Sequence, residues 1–219
     1  MIATLFDFDG VLVDSEPVHL AAFRDVLAPL GIALSDEAYA EKYLGLDDHG
    51  AFREILTAAN QTPSPDRIRE LIELKKPAFM QRFATSLRVF EGAAEIVRRR
   101  AAKGTVAIVS GALEHEIRFG LEQMGVLECV AFIVAAEACS ACKPDPEGYL
   151  LAKAKLGDSV RAVVIEDSIS GVLAAKRAGI RCAAVAHTYA GAELAAAGAD
   201  AIAPAIAALT DAMIDGSNV

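Results

Sequence analysis

The sequence predicts an α/β fold, a doubly wound and mostly parallel sheet with a block of helices inserted into it. Three observations carry that reading. Short Val/Ile/Ala-rich runs recur along the chain, stretches with helical spacing alternate with them, and the alternation is interrupted between about residue 16 and residue 85 by helical periods alone. Strand, helix and strand repeated with short connections require right-handed crossovers, and therefore parallel strands covered on both faces. The 219 residues are enough for one large domain or for a domain with a smaller insert.

In chain order, Ile2-Ala3-Thr4-Leu5-Phe6 is an apolar strand that runs into Asp7-Phe8-Asp9-Gly10. The helical block follows, over Pro17–Leu30, Ser35–Leu44, Asp47–Ala59 and Asp66–Phe83, divided by Gly31, Gly45 and the Pro63-Ser64-Pro65 turn. Pro17 suits a first helical turn and Ser15 is placed to cap it. A helical insert of roughly 70 residues in a parallel-sheet domain reads as a lid. Strands then resume at Thr105–Val109, Ala131–Ala135, Arg161–Ile165 and Arg181–Ala186, with a weaker one at Ala199–Ala203. The intervening helices are Glu91–Lys103, Glu114–Met124, Pro146–Leu156 and Ser168–Ala178. Each is followed by a glycine (Gly104, Gly125, Gly157, Gly179), a common helix stop because glycine takes positive φ without penalty. Ala190–Ala208 is alanine-rich but still patterned.

Composition removes several classes of function. The hydrophobic fraction of 54% owes its excess to alanine, and no uncharged run approaches a membrane-spanning length, which is about 20 residues. With no basic leader or cleavable apolar segment at its start, the chain reads as a cytoplasmic protein without a membrane partner. A formal charge of −9 disfavours nucleic acid and anionic membranes. No obligate protein partner is evident. Arg98-Arg99-Arg100 falls at a helix end, where cations favour the negative end of the dipole. Cys129, Cys139, Cys142 and Cys182 read as free thiols, because the single C-x-x-C formed by Cys139 and Cys142 has no second pair with which to hold zinc.

Candidate chemistry sits just past the carboxyl ends of the strands, where open parallel sheets place their ligands. A strand has a side-chain period of two, so Asp7 and Asp9 fall on one side of the chain with Phe8 turned to the other. A strand followed by an Asx turn accounts for the same four residues. Ser110-Gly111 ends the second sheet strand and offers a hydroxyl and backbone N–H groups to a phosphoryl oxygen, or else is a simple turn. Lys143-Pro144-Asp145-Pro146 holds an ammonium in a loop stiffened by proline, although a loop lysine is ordinarily solvated. Glu166-Asp167-Ser168 ends another buried strand with two acids, either a helix cap or a cation site. Hard oxygen ligands without His or Cys companions favour Mg²⁺ over zinc. A carboxylate nucleophile, a second acid, a hydroxyl, an ammonium and metal-binding carboxylates are the parts needed for phosphoryl transfer.

In motif order and spacing, over essentially all its length, the chain resembles the haloacid dehalogenase superfamily of phosphatases and mutases, specifically its members with a helical cap. The resemblance implies a Rossmann-like core of residues 1–15 and 86–219 with a cap of residues 16–85. It makes Asp7 the nucleophile that forms an aspartyl-phosphate. Asp9 would protonate the leaving oxygen and later deprotonate the attacking water, its carbonyl also touching the metal. Mg²⁺ would be held by Asp7, Asp167 and, directly or through water, Glu166, while Ser110, Gly111 and Lys143 bind the phosphate. Dehalogenases lack an acid two residues after the nucleophile, so Asp9 implies phosphate chemistry.

The run Gly10-Val11-Leu12-Val13-Asp14-Ser15-Glu16-Pro17-Val18-His19 is similar to the β-phosphoglucomutase branch. His19 is then either a hinge residue that engages on closure or an ordinary histidine of the first cap helix. In the cap, Leu44-Gly45-Leu46-Asp47-Asp48-His49 supplies leucine and aspartate where that branch carries a lysine and an arginine. Aspartates there would repel the second phosphate of a bisphosphate, unless they simply cap the next helix. The reading therefore favours a Mg²⁺-dependent phosphatase of a small phosphorylated metabolite, such as a sugar phosphate, over a phosphohexomutase. A catalytically silent binding protein on the same scaffold is the remaining alternative.

Overall fold

The computed structural model describes residues 2–157 and 159–216. The chain divides into two compact units, one formed by Met1–Asp14 with Arg88–Val219 and the other by Ser15–Leu87. In the first unit, strands β1 (Ile2–Phe6), β4 (Val106–Val109), β5 (Phe132–Val134), β6 (Arg161–Glu166), β7 (Arg181–Val185) and β8 (Ala201–Ala203) form one sheet in the order β5-β4-β1-β6-β7-β8. Every pairing in it is parallel. Strands β1, β4, β6 and β7 are almost continuously apolar and buried, as strands covered on both faces must be, while the edge strands β5 and β8 are only partly buried. Leu5, Val109, Val134 and Val164 share a core with Val172, Ala174 and Ala175, whose small side chains let their helix lie close to the sheet.

The crossovers use helices α5 (Ala93–Ala101), α6 (Glu114–Gln123), α7 (Glu147–Leu156), α8 (Ile169–Arg177) and α9 (Gly191–Ala196), and α10 (Asp211–Asp215) closes the described chain. Gly125, Gly157 and Gly179 end their helices at positive φ as expected, whereas Gly104 is not among the positive-φ residues. A two-stranded antiparallel ribbon, β2 (Val13–Asp14) with β3 (Arg88–Val89), was not foreseen because two residues carry no period. The arginine cluster does more than complement a dipole. Arg98 donates to the carbonyls of Met124 and Gly125, Arg99 to that of Leu209, and the buried Arg100 pairs with Asp211 and Asp215.

The second unit contains α1 (Glu16–Leu27), α2 (Asp36–Lys42), α3 (Asp48–Ala58) and α4 (Pro65–Ser86). Its own core joins Phe23 and Leu27 of α1, Tyr39 of α2, Phe52, Ile55 and Leu56 of α3, and Ile68 and Leu71 of α4. Pro17 lies in the first turn of α1, but Ser15 makes no side-chain cap bond there, a correction to the capping expectation. Ser35, Asp47 and Ser64 do cap their helices. No described helix is long and apolar enough to cross a membrane.

Candidate active site

Register assembles the site. Phe6 of β1 lies beside Ile108 of β4 and Ile165 of β6, so Asp7, Ser110 and the Glu166-Asp167 pair leave neighbouring strands at the same end of the sheet. Asp7 is buried at 7% exposure, and its N–H donates to Ile165 O at 2.9 Å, carrying the pairing one residue past the strand. Phe8 is fully buried against Gly120 of α6, where no side chain would fit. Gly10 takes a φ of 73° and its N–H reaches Val13 O, turning the chain, while Asp9 forms a bridge with Val13. A Cβ on Gly10 would overlap the Asp167 carboxylate, so the turn is pressed directly against that acid.

Lys143 arrives from the loop between β5 and α7. Its Nζ lies 2.7 Å from Asp7 Oδ1, 2.6 Å from Glu166 Oε1 and 3.2 Å from Val109 O, and 5.1 Å from the centre of the Tyr149 ring. The solvated-lysine reading is thereby excluded. Glu166 belongs to β6 itself rather than to the loop beyond it, and is completely buried. Its Oε1 also accepts from the Tyr149 hydroxyl at 2.9 Å, and its Oε2 accepts from the N–H groups of Asp167 and Ser168 and from the Ser168 hydroxyl. Gly171 is required behind it, because a Cβ there would overlap the carboxylate. Ser168, not the acids, caps α8 by accepting from Gly171 N–H. Asp167 is 4% exposed and accepts from the Thr188 hydroxyl. Ser110 is buried, its Oγ accepting from Ala112 N–H at 3.2 Å, which leaves the hydroxyl hydrogen as its donor. Gly111 is exposed, with open space around it.

The electrostatics follow from burying three acids around one ammonium. Burial raises Asp7 to about 7, helped by Glu166 and Asp9 and opposed by Lys143. Burial, Glu166 and Asp7 likewise hold Asp167 well above the usual carboxylate range. For Glu166 burial acts in the same sense, but Lys143 and the hydrogen bonds outweigh it, and the group stays below its ordinary value. Lys143 is held protonated by Asp7 and Glu166 against the effect of burial. Carboxylate oxygens of Asp7, Glu166 and Asp167 lie within 4.8 Å of one another, the one such cluster among the described residues. Hard oxygen donors, buried together and carrying more negative charge than one lysine offsets, fit a divalent cation such as Mg²⁺. Since both Glu166 oxygens are committed to protein donors, Asp7 and Asp167 are the better placed to hold it directly.

His19 belongs to the helical unit. Its Nδ1 lies 2.9 Å from Lys75 Nζ and its ring 4.3 Å from that of Phe79, and burial together with Lys75 pushes its pKa well below the usual histidine value. Lys75 is 2% exposed, stands over the Phe23 ring and is ion-paired with Asp48. This corrects the charge argument made from Leu44–His49: Asp47 caps α3 by accepting from Gly50 N–H, and Asp48 is matched by a lysine rather than free to repel an anion. Lys75 was missed, although the buried stripe Ile68, Leu71, Lys75, Phe79 and Phe83 shows it at an apolar position of the helical period. Tyr149 and Thr188 were missed for another reason, since each acquires its partner only through tertiary packing. None of the four cysteines forms a disulfide, and among the described residues Cys139 and Cys142 join no cluster of three possible metal ligands.

A family model described as haloacid dehalogenase-like hydrolase matches residues 4–185. The chain is 31% identical over 191 residues to the phosphorylated carbohydrates phosphatase of Thermotoga maritima, covering 86% of this chain and 87% of the relative. It is 30% identical over 183 residues to hexitol phosphatase B of Escherichia coli K12, with 83% and 82% covered. Among solved structures, CbbY of Rhodobacter sphaeroides in complex with phosphate superposes with a TM-score of 0.84 at 28% identity over 97% of this chain and 98% of that one. With the sheet order, the converging carboxylates and lysine, and these matches in hand, the chain belongs to the haloacid dehalogenase-like hydrolase family.

Proposed function

We propose that the protein is a Mg²⁺-dependent phosphatase that hydrolyses a small phosphorylated metabolite, a sugar phosphate in particular, through a covalent aspartyl-phosphate. The observation that carries this reading is Lys143, whose Nζ bridges Asp7 and Glu166 beside the buried Asp167. In this reading Asp7 attacks phosphorus and Asp9 hands a proton to the departing oxygen, so that an alcohol leaves and the phosphoryl group stays on Asp7. Asp9 then takes a proton from water as that water attacks the phosphorus, releasing inorganic phosphate and restoring the Asp7 carboxylate. Lys143 and Ser110 hold the phosphoryl oxygens, with Gly111 keeping the approach open, and Glu166 fixes the lysine. Bound between Asp7 and Asp167, Mg²⁺ would lower the repulsion between a carboxylate and a phosphate dianion. The relatives named as carbohydrate and hexitol phosphatases support the substrate class.

A second reading, a phosphohexomutase, is supported by the likeness to a putative beta-phosphoglucomutase structure from Thermotoga maritima, at 28% identity and a TM-score of 0.72. A panel of sugar phosphates with Mg²⁺, scored for free phosphate and for isomerised sugar, separates the two. Free phosphate from a sugar monophosphate is the expected result. Glucose 6-phosphate formed from β-glucose 1-phosphate with catalytic bisphosphate would select the mutase, and no product from any substrate would leave a binding protein. The Asp7→Asn variant is expected to retain its circular dichroism spectrum and to lose at least about a thousandfold in kcat, the scale on which removal of a nucleophile acts. Substantial residual turnover in a pure preparation would reject Asp7 as nucleophile.

A further inference from the structure

Two consecutive residues beyond β7 grip the two acid-bearing segments of the site. His187 Nδ1 lies 2.8 Å from Gly10 O, its Nε2 lies 3.1 Å from Ile206 N, and its ring stacks on Phe90 with centroids 3.9 Å apart and planes inclined at 23°. A backbone N–H can only donate, so Nε2 carries the lone pair for Ile206 and Nδ1 carries the hydrogen that goes to Gly10 O. The ring is thereby fixed in tautomer, in orientation and in depth. Gly10, the residue whose carbonyl it holds, follows Asp9 in the chain and turns at positive φ against the Asp167 carboxylate. The adjacent Thr188 donates its hydroxyl to that carboxylate.

We infer that His187 and Thr188 form a brace that sets Gly10, held by its carbonyl in the Gly10–Val11 peptide, against Asp167, making His187 a positioning residue for the chemistry proposed for the preceding Asp9. The inference rests on the functional reading given above. A turn containing a glycine at φ 73° has a wide choice of conformations, and the bond from His187 selects the one that brings the acid to the site. Misplacement of a reacting group by about 1 Å is sufficient to cost on the order of a hundredfold in rate.

Two amide variants divide the histidine's two bonds. In His187→Asn the side-chain nitrogen falls where Nδ1 was, keeping the donor for Gly10 and losing the acceptor for Ile206. His187→Gln places its amide at the Nε2 position and does the reverse. With p-nitrophenyl phosphate and Mg²⁺, the Asn variant is expected to keep kcat within about threefold and the Gln variant to lose about tenfold or more, with KM little changed in both. Melting temperature is expected to fall in both alike, so a purely structural role would lower kcat equally in the two. Equal losses, or a Gln variant with unimpaired kcat, would overturn the inference. Binding of Mn²⁺, followed by water proton relaxation, tests the other arm without turnover, and Thr188→Val is expected to weaken it about tenfold or more. Unchanged Mn²⁺ affinity in that variant would also overturn the brace. If the natural protein released no phosphate from any substrate, the functional reading would fail by itself, and Mn²⁺ affinity would still decide whether the brace organises the carboxylates.

Discussion

At Asp7, burial and Lys143 pull in opposite directions, and burial prevails, lifting the carboxyl to about 7. A carboxyl raised above its unfolded value of 3.8 binds its proton more tightly in the folded state. Its contribution to stability is therefore complete below pH 3.8 and is lost as pH rises through about 7. Glu166 shifts the other way, so its contribution fades only as pH falls through the acid range and does not compete in this window. Mg²⁺ must displace the Asp7 proton at pH 5 and meets an ionised group at pH 8. The expected outcome is a larger rise in melting temperature on adding Mg²⁺ to metal-free protein at pH 8 than at pH 5, measured by calorimetry. An equal rise at both would show that Asp7 does not hold the ion. Asp7, Ser110, Glu166 and Asp167 were legible in the sequence as candidates because each ends or follows a short apolar run, and Lys143 because prolines stiffen the loop that carries it. Glu166 as the anchor of Lys143 was not, since that role depends on which carboxylate oxygen the backbone of Asp167 and Ser168, between β6 and α8, has already engaged.

Helix α5 shows how an element read correctly by itself acquires a further role. Its last-turn arginines complement the helix dipole, yet the Arg100 guanidinium passes from β1, where it donates to the Thr4 hydroxyl, to Asp211 and Asp215 of α10. A five-residue helix cannot sustain itself, so α10 depends on such contacts. Replacing Arg100 with methionine leaves both aspartates without their buried partner. Loss of a fully buried pair's partner costs about 3–5 kcal/mol. Because these aspartates remain about a quarter exposed, a loss of about 2 kcal/mol is expected from urea denaturation. A change within about 0.5 kcal/mol, the range of an ordinary surface substitution, would show the pairing to be incidental.

Over the whole molecule, the chain folds into two units with separate cores, a six-stranded parallel sheet with its helices and a four-helix block. Phe52 is fully buried within the helical core, with its ring 4.9 Å from that of Phe23. Phe52→Ala is expected to cost about 3–5 kcal/mol through lost burial and the cavity left behind. Because that core is local to Ser15–Leu87, hydrogen exchange is expected to quicken there far more than in the sheet strands. Uniform acceleration across both units would mean that they unfold as one.

What the sequence determined by itself is whatever local patterning encodes. The alternation of periods two and 3.6 marks the parallel sheet and its helices, the interruption marks the inserted block, and the strand ends mark Asp7, Ser110, Glu166 and Asp167 as candidates for the site. Only the tertiary structure decided the pairings of groups far apart in the chain. Lys75 with Asp48 and His19, Tyr149 with Glu166, and His187 with Gly10 join residues between 17 and 177 positions apart. The physical reason is that a buried charge or polar hydrogen must find a partner wherever packing places one, and no periodicity along a chain records which distant segment will supply it.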